Sequence, residues 1–351
     1  MGVDAHSEPF LMRAAVLHGP RDLRFAHIVP RPVPAPGEVL VRVACAGLCG
    51  SDLHVWKTGD FISSFPVVPG HEVVGRVIEA RPVGRFDGPG SELVGERVVL
   101  DSRVPCGACE WCARGASNRC PSIGFLGEVR GGGFAEWIAV PADRVWVLPA
   151  RLPYDIAVLA EPTAVALHAW KRVVRAAEAK PKRVAILGAG PVGVLLALAV
   201  PPGVEVVLAE PNAVRAEAAQ RITGFEVVDP SAAGGLAGTF DAAFDCAGAV
   251  GSLGRAADLV APGGVVGAVA LHHKPDELDV NAFVGREVTV TGAHVFADEM
   301  PAALRLLGRK PHLFGQVVDR IVSLEELPAA VAAAAEGGAD HLKLVVAHDV
   351  R

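Results

Sequence analysis

The spacing of apolar and polar positions changes part of the way along the chain. In the first 155 residues, short apolar runs such as "VLVRVACAG" at 39–47 lie between segments rich in Gly and Pro, as the strands of a β domain do. From near Glu161, predicted strands alternate with predicted helices. A run of alanines near Ala332 predicts a late helix that Gly337 and Gly338 terminate. The pattern therefore predicts an α/β protein with a β-rich part and a strand–helix part.

The strand–helix part contains a glycine-rich turn. A buried strand, Val184–Leu187, leads into Gly188-x-Gly190-x-x-Gly193 and an apolar helix. The first glycine allows the tight turn, the second lets a pyrophosphate approach the backbone, and the third lets helix and strand pack closely. Free N–H groups at the helix start would face the phosphates. In this position the spacing strongly indicates a dinucleotide-binding fold.

A carboxylate ends the next predicted strand, "EVVLAEPN". Glu210 lies 17 residues after Gly193, where it would accept hydrogen bonds from the adenosine ribose and repel a 2′-phosphate, which favours NAD over NADP. Arg215 could neutralise such a phosphate, although a surface cation on a helix is the plainer interpretation. Cys246 is most simply a core thiol, and the turn after it is expected to contact the adenine. The predicted coenzyme residues are Gly188, Gly190, Pro191, Val192, Gly193, Glu210, Arg215, Cys246 and Ala247.

Length, composition and charge narrow the possible classes of protein. A chain of 351 residues that is 51% apolar has material for about two domains. A net charge of -6 gives no reason to expect a nucleic-acid partner. The amino terminus lacks an apolar core long enough for a signal peptide, and glycines, prolines and Glu205 interrupt the apolar stretch 184–209. We therefore expect a cytoplasmic protein with no membrane partner.

Four cysteines lie in one short loop, "VPCGACEWCARGASNRCP". Their spacing, C-x2-C-x2-C-x7-C, suits a closed tetrahedral zinc site, which leaves no position for a substrate. An iron–sulfur cluster and disulfides are the alternatives; the last gap is long for the cluster, and a reducing compartment disfavours disulfides. The predicted structural zinc ligands are Cys106, Cys109, Cys112 and Cys120.

A second, open metal site is suggested by three residues far apart in the chain. Cys49, His71 and Glu161 supply the thiolate, imidazole and carboxylate that a catalytic zinc uses when one position stays open. Each has a plain structural interpretation when taken alone. Cys45 could compete with Cys49, but the apolar alternation around it indicates a small hydrophobic residue in a strand.

Together these segments resemble the zinc-dependent medium-chain alcohol dehydrogenases, in the branch of polyol, butanediol and threonine dehydrogenases. The resemblance runs from about residue 13 to 346 and is carried by "CGSDLH", "PGHEVVGRV", "GERVV", the four-cysteine loop, "GGGFAEWIAVPADRV", "LAEPTAVALHA" and "LGAGPVGVLLALA". It implies a GroES-like β-barrel catalytic domain, residues 1–155 and 297–351, and a Rossmann domain with a doubly wound parallel sheet, residues 156–296. It also implies two zinc ions per chain and a homo-oligomer, a tetramer or a dimer.

By this resemblance, Cys49, His71 and Glu161 would ligate the catalytic zinc, and Glu72 would be an alternating ligand or would hold its water. Asp52 would orient His71; its other interpretation is a turn residue. Zinc makes an alkoxide accessible near neutral pH, and Ser51 and His54 would carry the proton away. The alternative is a helix start that Ser51 or Asp52 caps, with His54 facing solvent.

The resemblance implies oxidation of a small secondary alcohol: a vicinal diol, hydroxyketone, sugar alcohol or cyclitol. Arg103 stands where threonine dehydrogenases carry a histidine, and "GAHVFADE" replaces an arginine–aromatic pair of sorbitol-type enzymes, so a clamp for an anionic substrate is not evident. Two other classes stay open: a non-catalytic NAD-binding regulatory or structural protein, and a zinc-free quinone or enoyl reductase on the same fold.

Overall fold

The computed structural model describes residues 11–83, 90–231, 233–337 and 341–348. None of the helices in these ranges has the length and apolar character needed to cross a membrane. The strands are Leu11–Leu17, Leu23–Pro30, Glu38–Gly47, Glu72–Arg81, Arg97–Leu100, Arg103–Val104, Gly124–Phe125, Trp137–Pro141, Val145–Val147, Arg183–Leu187, Glu205–Ala209, Glu226–Val228, Phe240–Asp245, Val260–Ala268, Thr289–Gly292, Val318–Val322 and Lys343–Ala347.

Helices are concentrated in the second half of the described chain. The α-helices are Gly50–Thr58, Glu110–Ala113, Tyr154–Ala157, Ala160–Ala176, Pro191–Ala199, Ala213–Thr223, Ser252–Leu259, Val280–Arg286, Met300–Arg309, Pro311–Gly315 and Leu327–Ala335. Short 3-10 helices span Ser91–Leu93, Ser117–Arg119, Ala142–Arg144 and Ala233–Leu236. The α/β class is confirmed.

One sheet is entirely parallel. Among the described residues its spatial order is Glu226–Val228, Glu205–Ala209, Arg183–Leu187, Phe240–Asp245, Val260–Ala268 and Thr289–Gly292. Numbered along the chain, this order is 3-2-1-4-5-6, which is that of a Rossmann fold. The strand order reverses between Arg183–Leu187 and Phe240–Asp245, and in such sheets ligands bind outside the carboxyl ends of the strands at this point.

The second large sheet joins distant parts of the chain. The strand Glu38–Gly47 pairs antiparallel with Glu72–Arg81, with Trp137–Pro141 and with the late strand Lys343–Ala347. The register places Gly47 opposite both Glu72 and Val345. The carboxyl-terminal segment therefore returns to the β-rich part. The domain boundaries at 155 and 297 stay a prediction.

Several local expectations agree with the structure in detail. The helix that begins at Pro191 ends at Ala199, before Pro201 and Pro202, because proline cannot donate the next hydrogen bond. The alanine-rich helix ends at Ala335, and Gly337 has a φ of 88°; Gly338 lies outside the described residues. One strand boundary differs from the expectation that Glu210 ends its strand. The strand ends at Ala209, and Glu210 is the next residue.

Candidate functional site

Three predicted metal ligands come together at one end of the second sheet. The Cys49 thiol, a His71 ring nitrogen and a Glu72 carboxylate oxygen all lie within 4.8 Å of one another. Cys49 precedes the helix Gly50–Thr58, and Glu72 begins the strand Glu72–Arg81. His71 and Glu72 are buried. Thiolate, imidazole and carboxylate are the donors that zinc prefers, so this group fits the predicted catalytic ion.

Asp52 contacts both the start of the helix Gly50–Thr58 and the His71 ring. One carboxylate oxygen accepts the Cys49 backbone N–H at 2.8 Å, which caps the helix, and the other lies 3.5 Å from Nδ1 of His71. Burial alone would lower the pKa of His71, but Asp52 and Cys49 outweigh burial and raise that pKa well above its ordinary value. The contact agrees with a role in orienting His71, and that role stays a prediction.

Glu161 lines the same cavity as these ligands but makes a different contact. It lies at the start of the helix Ala160–Ala176, and its Oε1 accepts a hydrogen bond from Ser102 Oγ at 2.9 Å. Burial raises the pKa of Glu161 to about 7; Glu72 adds to the rise, while His71 opposes it. Glu161 is outside the group of atoms that lie within 4.8 Å of one another, so its ligation of zinc stays a prediction.

Glu72 is paired with a lysine from the end of the chain. Lys343 Nζ lies 2.6 Å from Oε1 and 2.5 Å from Oε2 of Glu72, and both side chains are about 1% exposed. Burial by itself would lower the pKa of Lys343, but Glu72, Cys49 and Asp52 raise it, so the ammonium stays charged. A Cβ at Gly47 would lie 2.0 Å from Glu72 Oε2, so a larger residue there would displace the Glu72 carboxylate.

The balance of charge supports a divalent cation at this site. The thiol of Cys49 and the carboxyl groups of Asp52, Glu72 and Glu161 are close together, and Lys343 is the one ammonium that the described contacts bring to them. Uncompensated buried anions are costly, and a divalent ion offsets that cost. The residues present therefore fit zinc.

The four-cysteine loop brings its thiols together as predicted. The Sγ atoms of Cys106, Cys109, Cys112 and Cys120 all lie within 4.8 Å of one another, and all seven cysteines of the chain are free. The Ala108 and Cys109 backbone N–H groups lower the pKa of Cys106 to about 6. A lowered pKa favours the thiolate that binds metal. The loop fits the predicted structural zinc.

The two relay residues lie on the helix Gly50–Thr58. Ser51 lines the cavity beside the metal ligands. His54 Nε2 lies 2.9 Å from an Asp60 carboxylate oxygen, and the His54 ring stacks on His273 with centroids 3.6 Å apart. The His54 side chain is 13% exposed, so it does not face open solvent. Its role in a relay stays a prediction.

The glycine-rich turn has the geometry that its spacing indicated. Gly188 has a φ of 93°, and a Cβ at Gly193 would lie 1.9 Å from the Gly188 carbonyl oxygen, so close helix–strand packing requires glycine there. The helix Pro191–Ala199 begins at this turn. Glu210 is buried and accepts the backbone N–H of Ala189 at 2.8 Å and that of Asn212 at 3.0 Å. Glu210 therefore holds the turn in place.

The remaining predicted coenzyme residues occupy two places. Val192, Cys246 and Ala247 line the cavity. Burial raises the pKa of the Cys246 thiol, which disfavours the thiolate near neutral pH. Cys246 follows the strand that ends at Asp245, is half-buried and lines the cavity, so the expectation of a core thiol is wrong. Arg215 lies on the helix Ala213–Thr223, and its Nε is buried without a hydrogen-bond partner among the described residues.

A single cavity of 1220 Å³ connects the metal ligands with the coenzyme turn. Cys49, His71, Glu72 and Glu161 are among the residues that line it. Other lining residues end or directly follow the parallel strands: Cys246, Ala247, Gly248, Ala268, Val269, Ala270 and Gly292. This volume suits the nicotinamide end of a dinucleotide together with a small substrate.

Several residues of the site were not identified from sequence. Ser102, Lys343 and His273 contact predicted site residues, and Glu128 lines the cavity. Asp245 is fully buried and accepts from the backbone N–H groups of Ala247 and Gly248. A lysine inside the apolar run "LKLVV" was a usable signal for Lys343, because an unpaired lysine is rarely buried.

Comparison with known proteins gives consistent matches over most of the chain. The family model described as alcohol dehydrogenase GroES-like domain matches residues 35–150, and the one described as zinc-binding dehydrogenase matches residues 191–309. The (R,R)-butanediol dehydrogenase of Bacillus subtilis (strain 168) is 32% identical over 339 residues, which is 90% of this chain and 94% of that protein. The sorbitol dehydrogenase of the same strain is 28% identical over 97% of this chain and 98% of that protein.

A solved structure agrees with these matches. A zinc-binding dehydrogenase from Sinorhizobium meliloti 1021, bound to NADP, has a TM-score of 0.85 at 27% identity, covering 97% of this chain and 100% of that chain. The fold is therefore the predicted GroES-like domain joined to a Rossmann domain. The chain belongs to the zinc-dependent medium-chain alcohol dehydrogenases, in the polyol branch, and is a zinc-dependent oxidoreductase of small-molecule alcohols.

Proposed function

We propose that this enzyme oxidises a secondary alcohol that carries further hydroxyl groups, with NAD as the preferred coenzyme. The observation that carries the proposal is the shared cavity. Cys49, His71 and Glu72 line it together with Ala247, Val269 and Gly292, which lie at the carboxyl ends of the parallel strands. A diol, polyol or cyclitol is small enough for the part of this cavity that a nicotinamide ring would leave open.

The chain's residues divide the work of the reaction. When bound, zinc polarises the alcohol oxygen and NAD accepts the hydride from the carbinol carbon. Cys49, His71 and Glu72, with Glu161 beside them, are the residues that would hold the metal. Ser51 accepts the hydroxyl proton, and His54 receives it next. The Asp60 carboxylate lies 2.9 Å from His54 Nε2 and holds the ring in position.

The preference for NAD rests on Glu210. Its carboxylate lies directly after the strand Glu205–Ala209, where it would repel a 2′-phosphate. The NADP in the Sinorhizobium structure and the unpartnered Nε of Arg215 favour the opposite coenzyme. Replacing Glu210 with Ala and Arg215 with Ala, one at a time, separates these effects. The first change should raise activity with NADP relative to NAD, and the second should lower it.

Arg103, which stands where threonine dehydrogenases carry a histidine, does not supply a clamp for an anionic substrate. Arg103 is 5% exposed, binds Asp101 through two nitrogens at 2.6 and 2.8 Å, and donates to the Phe296 carbonyl at 2.7 Å. These contacts occupy its guanidinium. Arg103 therefore stabilises the protein interior and is not positioned as a substrate clamp.

A homo-oligomer is proposed on the exposed edge of the parallel sheet. Thr289–Gly292 is the last strand of that sheet, and Val290 is 41% exposed. Val280 and Val284 on the preceding helix are also exposed. Strand edges and apolar patches are frequent contact surfaces. Light scattering of the Val290→Lys variant measures the molar mass and so tests this edge.

A cytoplasmic location is proposed because free clustered thiols suit a reducing compartment.

The decisive experiment uses zinc-loaded enzyme with a panel of diols, polyols and cyclitols and each coenzyme. Formation of reduced nicotinamide is followed by absorbance, and Cys49→Ser serves as the inactive control. We expect turnover of at least one polyhydroxy alcohol, faster with NAD. Activity confined to enones or quinones would overturn the proposal, as would activity that Cys49→Ser retains.

A further inference from the structure

The carboxylate of Glu128 has no hydrogen-bond or ion-pair partner among the described residues, although it lines the cavity that holds the metal ligands. We propose that Glu128 determines substrate specificity by accepting a hydrogen bond from a second donor group, a hydroxyl or an ammonium, on the alcohol being oxidised. This inference rests on the proposed function and extends it, because it names the substituent that the site selects.

The backbone fixes Glu128 relative to the metal ligands. Its N–H donates to the Phe125 carbonyl oxygen at 3.1 Å, and the Gly127 N–H donates to the Arg130 carbonyl oxygen at 2.8 Å. These two bonds close a tight loop. Gly127 has a φ of 82°, and a Cβ there would lie 2.7 Å from the Gly70 nitrogen. The loop is therefore packed directly against the residue that precedes His71.

The neighbouring polar groups are committed elsewhere. Arg130, the nearest cation along the chain, binds Glu38 at 2.7 Å and the Ala139 carbonyl at 2.9 Å. Ser63 donates both its backbone N–H and its hydroxyl to the Glu128 carbonyl oxygen at 3.4 Å, and not to the carboxylate. These contacts hold the backbone of Glu128 and leave its carboxylate available to a ligand.

The pKa of Glu128 also indicates a carboxyl group that lacks a partner. Burial raises the pKa of Glu128 to about 7, and nearby Asp52 adds to the rise while His71 opposes it. A partly buried carboxyl group without a partner is costly, and a ligand that donates to it offsets that cost. An acceptor-rich carboxylate or phosphate on the substrate would instead be repelled. The rings of Phe61 and Phe125 line the same cavity and suit the carbon chain.

The test compares four-carbon alcohols that differ in one substituent: 2-butanol, 2,3-butanediol, 3-amino-2-butanol and 3-hydroxybutyrate. Wild type, Glu128→Gln and Glu128→Leu are assayed, with Glu217→Gln on an exposed helix position as control. Glutamine keeps an acceptor oxygen, whereas leucine removes it. We expect Glu128→Leu to lower kcat/KM for the diol or the amino alcohol by roughly 10–100-fold while changing that for 2-butanol less than about 3-fold.

Glu128→Gln separates the two donors. If the donor is a hydroxyl, the amide oxygen should retain most diol activity; if it is an ammonium, loss of charge should abolish the preference for the amino alcohol. Equal losses on 2-butanol and on the donor-bearing alcohols would overturn the proposal, because they indicate a structural role. So would an unchanged Glu128→Leu enzyme.

Failure of the proposed function has a different signature. It would leave zinc-loaded wild type inactive on every alcohol. Binding of the same alcohols is then measured by thermal shift of the zinc-loaded protein. Tighter binding of the donor-bearing alcohols that Glu128→Leu removes would still support the role of Glu128, and indifference to the donor would refute it.

Discussion

The rings of His54 and His273 stack face to face, with centroids 3.6 Å apart and planes 9° from parallel. His54 belongs to the helix that carries Ser51, whereas His273 follows the strand Val260–Ala268 of the parallel sheet. The adjacent His272 is held by Asp245 at 2.8 Å, which anchors the segment. The stack therefore connects the segment after the strand Val260–Ala268 to the helix that carries Ser51 and His54.

This stack predicts a measurable shift in titration. Burial and the positive charge of His54 lower the pKa of His273; His272 acts in the same direction, and Asp60 opposes it. Because the pKa of His273 is lower in the folded chain, the unfolded chain binds more protons. The free energy of unfolding is therefore higher above about pH 6.5 and declines as pH falls. Replacing His54 with Gln should raise the pKa of His273 in an NMR titration. An unchanged titration curve would contradict the stacked geometry.

Metal content should report the two sites separately. We expect elemental analysis to find two zinc ions per wild-type chain and one in either Cys49→Ser or Cys106→Ser. The first variant should lose hydride transfer by more than about 100-fold, since even residues that only orient metal ligands cost 10–100-fold. The second should lose mainly thermal stability. One ion in the wild type would refute the two-site assignment.

The buried ion pair between Glu72 and Lys343 should affect the free energy of unfolding more than a surface ion pair does. Lys343→Met leaves a buried carboxylate without its cation, and we expect a cost of about 3–5 kcal/mol in the free energy of unfolding. The double variant with Glu72→Gln should recover part of that loss. Urea unfolding of the wild type and of the single and double variants gives the coupling energy. Additive losses would show that the pair is not coupled.

Removal of zinc should make stability fall as pH rises. In the metal-free chain burial raises the pKa of Glu161 from 4.5 to about 7. Because the folded chain holds this proton more tightly than the unfolded chain, the free energy of unfolding is highest below pH 4.5. It falls by about 3 kcal/mol as pH rises to 7. The raised pKa of His71 acts in the same direction. Added zinc should reverse the trend, because it competes with these protons.

Urea unfolding of chelator-treated protein at pH 5 and pH 8 measures this dependence. Glu161→Gln is the matched control, since an amide does not titrate; its pH dependence should be shallower. Identical pH dependence in the variant and the wild type would exclude Glu161 as the source.

The sequence was most informative where function depends on neighbouring residues. The turn Gly188–Gly193 and the four-cysteine loop are local, because each is specified by a few residues whose spacing fixes the geometry. Cys49, His71 and Glu72 were identified through their motifs. Lys343 was missed because its place depends on sheet register: Val345 lies opposite Gly47, and Gly47 lies opposite Glu72.

Glu128 and His273 were missed for a related reason. Neither belongs to a motif with fixed spacing, and each reaches the cavity through a loop whose path is set by distant contacts. Gly127 packs against Gly70, and Asp245 holds His272. Such contacts between distant segments leave no periodic pattern in the sequence.

The late strand Lys343–Ala347 also affects when the metal centre can be completed during synthesis. Lys343 is translated 271 residues after Glu72, so the acidic cluster around Cys49 emerges from the ribosome long before its neutralising ammonium. A partly made chain therefore presents thiol, imidazole and carboxylates without the charge that later balances them. Translation thus separates exposure of the zinc donors from assembly of the finished site, and a stalled chain would display an unguarded metal-binding cluster.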